Sequence, residues 1–275
     1  MPEGARPGPR SGTQPGEHWA TTVDWSRPWL EPYRARGEAV AQAARSGLAL
    51  HEALNLASGD APIRFVAPQV QPRGQPYESY IASTGCCPTH DNPHDFFNGL
   101  AWLQWPRAKH RLADLQAREL AARQTVGQRG ALRDALTLFD ENGALLMAPR
   151  DMWESLVAHD WKSLFITRRA QWADARLVLF GHALLEKLVT PRKAITAHVV
   201  AMPNAPDSIA NADDWLADMM ATRAFADKPF APLPVLGVPL WCSGNETETF
   251  YDDPLVFRPR KTRITTDNSV QPGKP

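Results

Sequence analysis

The chain has little of what usually assigns a protein to a class. It has three cysteines in 275 residues, Cys86, Cys87 and Cys242, and no CxxC spacing. A disulfide framework and a zinc ribbon are therefore not indicated. Cys86 and Cys87 are adjacent and read as two reduced thiols beside a loop. Together with His90 and His94 they still lack the second cysteine pair of a structural zinc site. No apolar run approaches the roughly 20 residues that span a bilayer, so no membrane partner is expected. Neither charge dominates, since thirty Lys and Arg balance thirty Asp and Glu. No global field then draws the chain to nucleic acid, although a local basic groove is compatible with that balance. A Gly-rich phosphate loop, a dinucleotide fingerprint, a GxSxG elbow and an HExxH pair are all missing. Residues 1–17 are rich in Pro, Gly, Arg and Ser and lack the apolar stretch of a secretory signal. They and residues 261–275 are expected to be disordered tails, and the setting reducing and cytoplasmic.

The remaining composition is that of a globular protein. Hydrophobic residues make up 43%, and the length suffices for a substantial core. Neither an internal repeat nor a wide linker interrupts it, so residues 18–260 are expected as a single globular domain. Apolar spacing predicts helices over Arg36–Ala57, Tyr77–Thr84, from Pro93 to Trp105, over Arg107–Gln124, Arg150–His159 and Asp213–Ala224, with the longest at Arg169–Val189. In the Arg107 helix the charged Lys109, His110, Arg111, Arg118 and Arg123 are expected to face outward. Ile63–Val66 and Ile195–Met202 read as strands. Leu136–Phe139 and Ala144–Met147 read as a hairpin turning at Asp140-Glu141-Asn142-Gly143. Twenty-five prolines, many near the C-terminus, predict extended segments there. The fold class is mainly helical α+β with a small hairpin and long proline-rich extended segments.

One stretch concentrates reactive side chains, Asp91-Asn92-Pro93-His94-Asp95-Phe96-Phe97-Asn98. Asn92 is a good N-cap, Pro93 suits the first helical position, and Asp95 suits the positive helix end. His94 and Asn98 then share a helical face, continued by Trp102 and Trp105. A second segment, Gly181-His182-Ala183-Leu184-Leu185-Glu186, places an imidazole and a carboxylate four residues apart. If the two segments meet, His94, Asp95, His182 and Glu186 form a ligand set for a divalent metal ion. His94, Asp95 and Asn98 would then be the catalytic residues, with Asn98 as orienter. That constellation would suit a metal-dependent hydrolase, including one that cleaves phosphodiesters. The plain alternative is a binding or scaffold protein. Its histidines would be structural and its pocket walled by Trp102, Trp105 and Trp241.

Two resemblances bear on these residues. His94-Asp95, Asn98, and then Lys109-His110 are loosely similar to a His-Asn-His nuclease, though no strand hairpin directly precedes His94. More of the chain is covered by the runs HDFFNGLAWLQWP, LRDALTLFDENGALL, FGHALLEKL with TPRKAITAH, and LPVLGVPLW with FYDDPLVFRP. Together these resemble the bacterial domain of unknown function 3025 over roughly residues 20–260. That resemblance implies one full-length domain from a Gram-negative bacterium, and it carries no activity.

Overall fold

The structure is a computed structural model and describes residues 19–122, 130–202 and 209–260. Both expected tails lie outside the described residues, as do Arg123 and Gln124. Helix α1 spans Arg34–Arg45 and α2 spans Leu50–Ala57. Sequence spacing predicts one helix over Arg36–Ala57, but Gly47 turns to φ 97° and separates the two. Strand β1 (Arg64–Val66) pairs in parallel with β2 (Cys86–Pro88). Between these strands lies α3 (Tyr77–Thr84), closed by the left-handed Gly85. Helix α4 (Pro93–Gln104) follows, and α5 (Pro106–Ala122) resumes after Trp105 leaves helical geometry.

The expected hairpin at Asp140–Gly143 is absent. Helix α6 runs over Ala131–Asn142 and passes directly into strand β3, Gly143–Met147. Leu132, Ala135, Leu136 and Phe139 repeat at helical spacing, and Asp-Glu-Asn-Gly is the helix's polar end. After α7 (Arg150–Ala158), the expected long helix at Arg169–Val189 is also replaced. A short 3₁₀ turn leads into strand β4 (Arg176–Leu179) and then helix α8 (His182–Lys187). The run Leu177-Val178-Leu179 is half to fully buried as a sheet edge against β3. Gly181 separates that strand from α8. Strand β5 (Thr196–Met202), helices α9 (Ile209–Met220) and α10 (Arg223–Ala226), and strand β6 (Ala231–Pro234) complete the order.

The larger sheet has the order β4-β3-β5-β6, with β3 and β5 parallel and the outer pairs antiparallel. All five residues of β3 are buried, as expected of a central strand. Just past β6, Val235 donates its N–H to the carbonyl of Ile195, just before β5. By alternation, Pro232 and Pro234 face the open edge, where their missing N–H groups discourage further pairing. The described residues are thus mainly helical with small sheets, an α+β fold. Buried Trp29, Trp102, Trp105, Phe139, Phe165 and Phe180 anchor the core.

Candidate functional site

The site forms where α8 begins beside the end of α6. The backbone N–H groups of Phe180 and Gly181 both donate to the Gly143 carbonyl at 2.9 Å. This draws the start of α8 against the last turn of α6. A Cβ on Gly181 would lie 2.4 Å from the Glu141 carbonyl oxygen, so only glycine permits the approach. His182, the next residue, therefore sits beside Asp140 on the last turn of α6. Helix α4 packs across α8 and brings His94 to the same point.

The local sequence sets the start of α4. Asn92 accepts the Asp95 N–H at 2.8 Å and caps the helix. The Asp95 carboxylate turns back, accepting the His90 N–H at 2.6 Å and standing 3.0 Å from His90 Nδ1. Asp95 thus secures the entry to α4. His94 points toward α8 instead. Its Nδ1 is 3.1 Å from Glu186 Oε2, and its Nε2 is 3.1 Å from Nε2 of His182. His182 and Glu186, one helical turn apart, clasp the His94 ring from two sides. On its other flank, the buried His182 Nδ1 faces Asp140 and stands 3.7 Å from its Oδ2, beyond a hydrogen bond.

A cavity of about 400 Å³ opens in front of these groups, lined from α3, α4, α5, α6 and α8. Asn98 lies in its wall, as the shared face with His94 requires. Its Oδ1 accepts from Lys109 Nζ at 2.9 Å, and its amide donates to the Tyr77 hydroxyl at 3.0 Å. Lys109 also donates to Asp140 at 2.5 Å. Tyr77 is in turn 3.0 Å from the Cys87 sulfur. A polar chain therefore runs from the half-exposed Glu186 through both imidazoles, Asp140, Lys109 and Asn98 to buried Cys87.

Burial and neighbouring charge set the ionisation of this chain. Burial pushes His182 down to about 4 despite the opposing pull of Asp140. It stays neutral near pH 7. Burial alone would raise Asp140, but the Lys109 ammonium, and then His182, outweigh it and hold the carboxyl below its usual range. Burial pushes the Cys87 thiol up to about 11 and the Tyr77 phenol well above its ordinary value. The thiol is thus kept protonated, which does not suit a nucleophile.

Of the residues expected from sequence, His94, His182 and Glu186 come together, and Asn98 and Asp95 line the same cavity. Among the described residues no group of three or more His, Cys, Asp or Glu is arranged to hold a metal ion. The four-ligand set His94, Asp95, His182 and Glu186 is not assembled as such. Asp95 is held by His90, and Glu186 faces the Nδ1 side of His94. The aromatic pocket is not assembled either. Trp102 lines the cavity, Trp105 is buried and donates to the Tyr33 hydroxyl, and Trp241 packs on Trp29.

Sequence reasoning missed Lys109, Asp140 and Tyr77. Lys109 was expected outward and is 2% exposed. The signal was present, because Lys109 lies three, four and seven residues before Leu112, Ala113 and Gln116, all buried. His110 bonds the Pro62 carbonyl instead and does not line the cavity. No helix among the described residues is long and apolar enough to cross a membrane.

No curated protein and no solved structure matches the chain. The sequence model of the family described as "Protein of unknown function (DUF3025)" matches residues 63–261. That span contains the imidazole pair, both carboxylates beside it and every wall of the cavity, and the chain belongs to that family.

Proposed function

We propose that the protein is a metal-dependent hydrolase in which His94 and His182 hold one divalent ion through their Nε2 atoms. Proton accounting at the imidazole pair carries this reading. His94 Nδ1 faces the Glu186 carboxylate at 3.1 Å, which calls for an N–H opposite it, and His182 Nδ1 stands 3.7 Å from Asp140 Oδ2, a longer approach that favours the same tautomer. Two neutral rings have only two protons between them. With the second proton on His182 Nε2, the rings make one ordinary hydrogen bond; with both on Nδ1, the two Nε2 lone pairs face each other at 3.1 Å. Such a pair needs a cation between or beside it, either an extra proton or a metal ion. Two nitrogens bound to one tetrahedral zinc lie about 3.3 Å apart, from bonds of about 2.0–2.1 Å. The observed spacing fits that after a small adjustment. A carboxylate behind each ligating imidazole is also the usual support of such ligands.

In this reading Glu186 and Asp140 orient the two rings, which departs from the sequence expectation that Glu186 binds metal directly. Asp95 would have to leave His90 to join as a ligand. The ion would supply activation of water near pH 7. Asn98 and Lys109 line the cavity where the oxygen of a substrate such as a phosphodiester would lie. Three free thiols fit the reducing, cytoplasmic setting expected from sequence.

The test is to titrate the purified chain with Zn²⁺ and Co²⁺ and then assay bis(p-nitrophenyl) phosphate. We expect one ion per chain, lost in His94→Ala and His182→Ala, and about 10–100-fold weaker binding in Glu186→Gln. Ion binding without turnover of phosphate or carboxylic esters would remove the hydrolase. Absence of any stoichiometric ion would remove the metal and leave the two rings sharing a proton.

A further inference from the structure

A second feature shares no lining residue with the imidazole cavity. Three adjoining hollows of about 490, 330 and 340 Å³ run along β6 and the start of β5. The first two share His159 and Pro232, and the last two share Ala194 and Thr196. They form one trench.

Its charge is one-sided. The linings contribute Lys187, Arg192, Lys228, Arg258 and Arg260, and no aspartate or glutamate. All five cations are exposed, and none has a salt bridge among the described residues. Acids close by in sequence are engaged elsewhere. Asp253 pairs with Lys193, Glu186 faces His94, and Asp160 is bound by Ser163. Asp227, beside Lys228, is exposed and outside the linings. In a chain with formal net charge zero, such segregation makes a local anion-attracting field. The same trench carries rings. Trp153 and Phe230 line its wide end, and His159 lies with its ring centroid 5.0 Å from that of Trp161.

We propose that this trench binds single-stranded nucleic acid. Cations spaced along a groove track a phosphate backbone, and an aromatic face such as that of the half-buried Trp153 accepts an unstacked base of any sequence. A duplex buries its bases and could use only the cations. An acidic peptide fits less well. Pro232 and Pro234 leave the open edge of β6 without the N–H donors that strand addition needs, and such a peptide offers nothing to stack on Trp153.

The test uses the full chain with EDTA and a fluorescent single-stranded 20-mer, read by anisotropy across 50–200 mM salt. Binding is expected at 50 mM salt with Kd on the order of 1–100 µM, and with a log–log salt slope of about −3 for four to five phosphate contacts. The double variant Lys228→Glu/Arg258→Glu should weaken binding at least tenfold and make the slope shallower by about 1.4, about 0.7 per lost contact. Trp153→Leu, which stays apolar but removes the ring, should weaken binding about tenfold with the thermal melt checked alongside. His94→Ala should bind as wild type. The proposal is overturned by absence of binding at 50 mM salt, or by unchanged affinity in the charge-reversed variant with a native thermal melt. It is equally overturned if a duplex or a polyglutamate of equal length binds as tightly.

Discussion

Lys109 is the residue whose removal tests the site most directly. Its side chain is 3% exposed, and its ammonium donates to Asn98 Oδ1 and Asp140 Oδ1. Asp140 is itself only 18% exposed. Lys109→Met keeps most of the side-chain volume, so little of its effect comes from a cavity. What it leaves is a carboxylate and an amide oxygen without their donor in a largely dry wall. Breaking a buried ion pair by removing one partner destabilises by about 3–5 kcal/mol. Urea unfolding at pH 7 measures that loss. Asp140→Asn should give a loss of the same order, because it strands a buried ammonium. The double variant should be more stable than either single one, with a coupling of at least about 2 kcal/mol. The pH dependence provides a second check. In wild type, Asp140 lies below its ordinary range, so it adds stability above the unfolded carboxyl value that is lost as pH falls through the folded one. In Lys109→Met, burial acts on Asp140 without that ammonium, and the carboxyl rises. The deficit should therefore shrink between pH 7 and pH 4.5 as Asp140 takes up a proton. A loss under about 1 kcal/mol, a deficit independent of pH, or strictly additive single variants would refute the buried pair.

Other expectations are more compact. For His182, the folded value of about 4 against 6.5 unfolded means the unfolded chain binds the extra proton in that window. Metal-free protein should therefore lose stability as pH falls from 6.5 to 4, by up to on the order of 3 kcal/mol, and urea midpoints of His182→Gln should lack that component. Gly181→Ala, with its Cβ 2.4 Å from the Glu141 carbonyl oxygen, should cost about 1–3 kcal/mol. It should also separate His182 from His94, read as weakened Zn²⁺ binding, while full retention of both would show that the approach tolerates a methyl group. Iodoacetamide at pH 8 should label the half-buried Cys86 and Cys242 well before Cys87, whose thiol is buried and pushed up to about 11. Mass spectrometry of timed aliquots would show equal rates if that burial is wrong.

Local physical chemistry made the start of α4 legible. Asn92, Pro93 and Asp95 fall where a helix N-terminus uses them, and the His94–Asn98–Trp102 face follows from helical spacing alone. The same reasoning put His182 and Glu186 on one side of a helix, and it survived the loss of the longer helix around them. It failed where one pattern served two structures. Asp-Glu-Asn-Gly closes a hairpin or ends a helix equally well, so the sequence alone leaves Asp140 as turn polarity. Lys109 was turned outward by its charge, although its spacing to Leu112, Ala113 and Gln116 placed it on the buried stripe.

The chain's own chemistry determined the mainly helical α+β class, the cap of α4, and which imidazoles and acids stood ready on helical faces. Only the tertiary structure decided what each of them meets. Gly181 lets α8 approach α6 closely enough to set His182 beside Asp140, and the packing of α4 on α8 turns His94 toward Glu186 rather than toward Asp95. Helical spacing acts over one or two turns, whereas an imidazole pair 88 residues apart depends on how close two backbones can come.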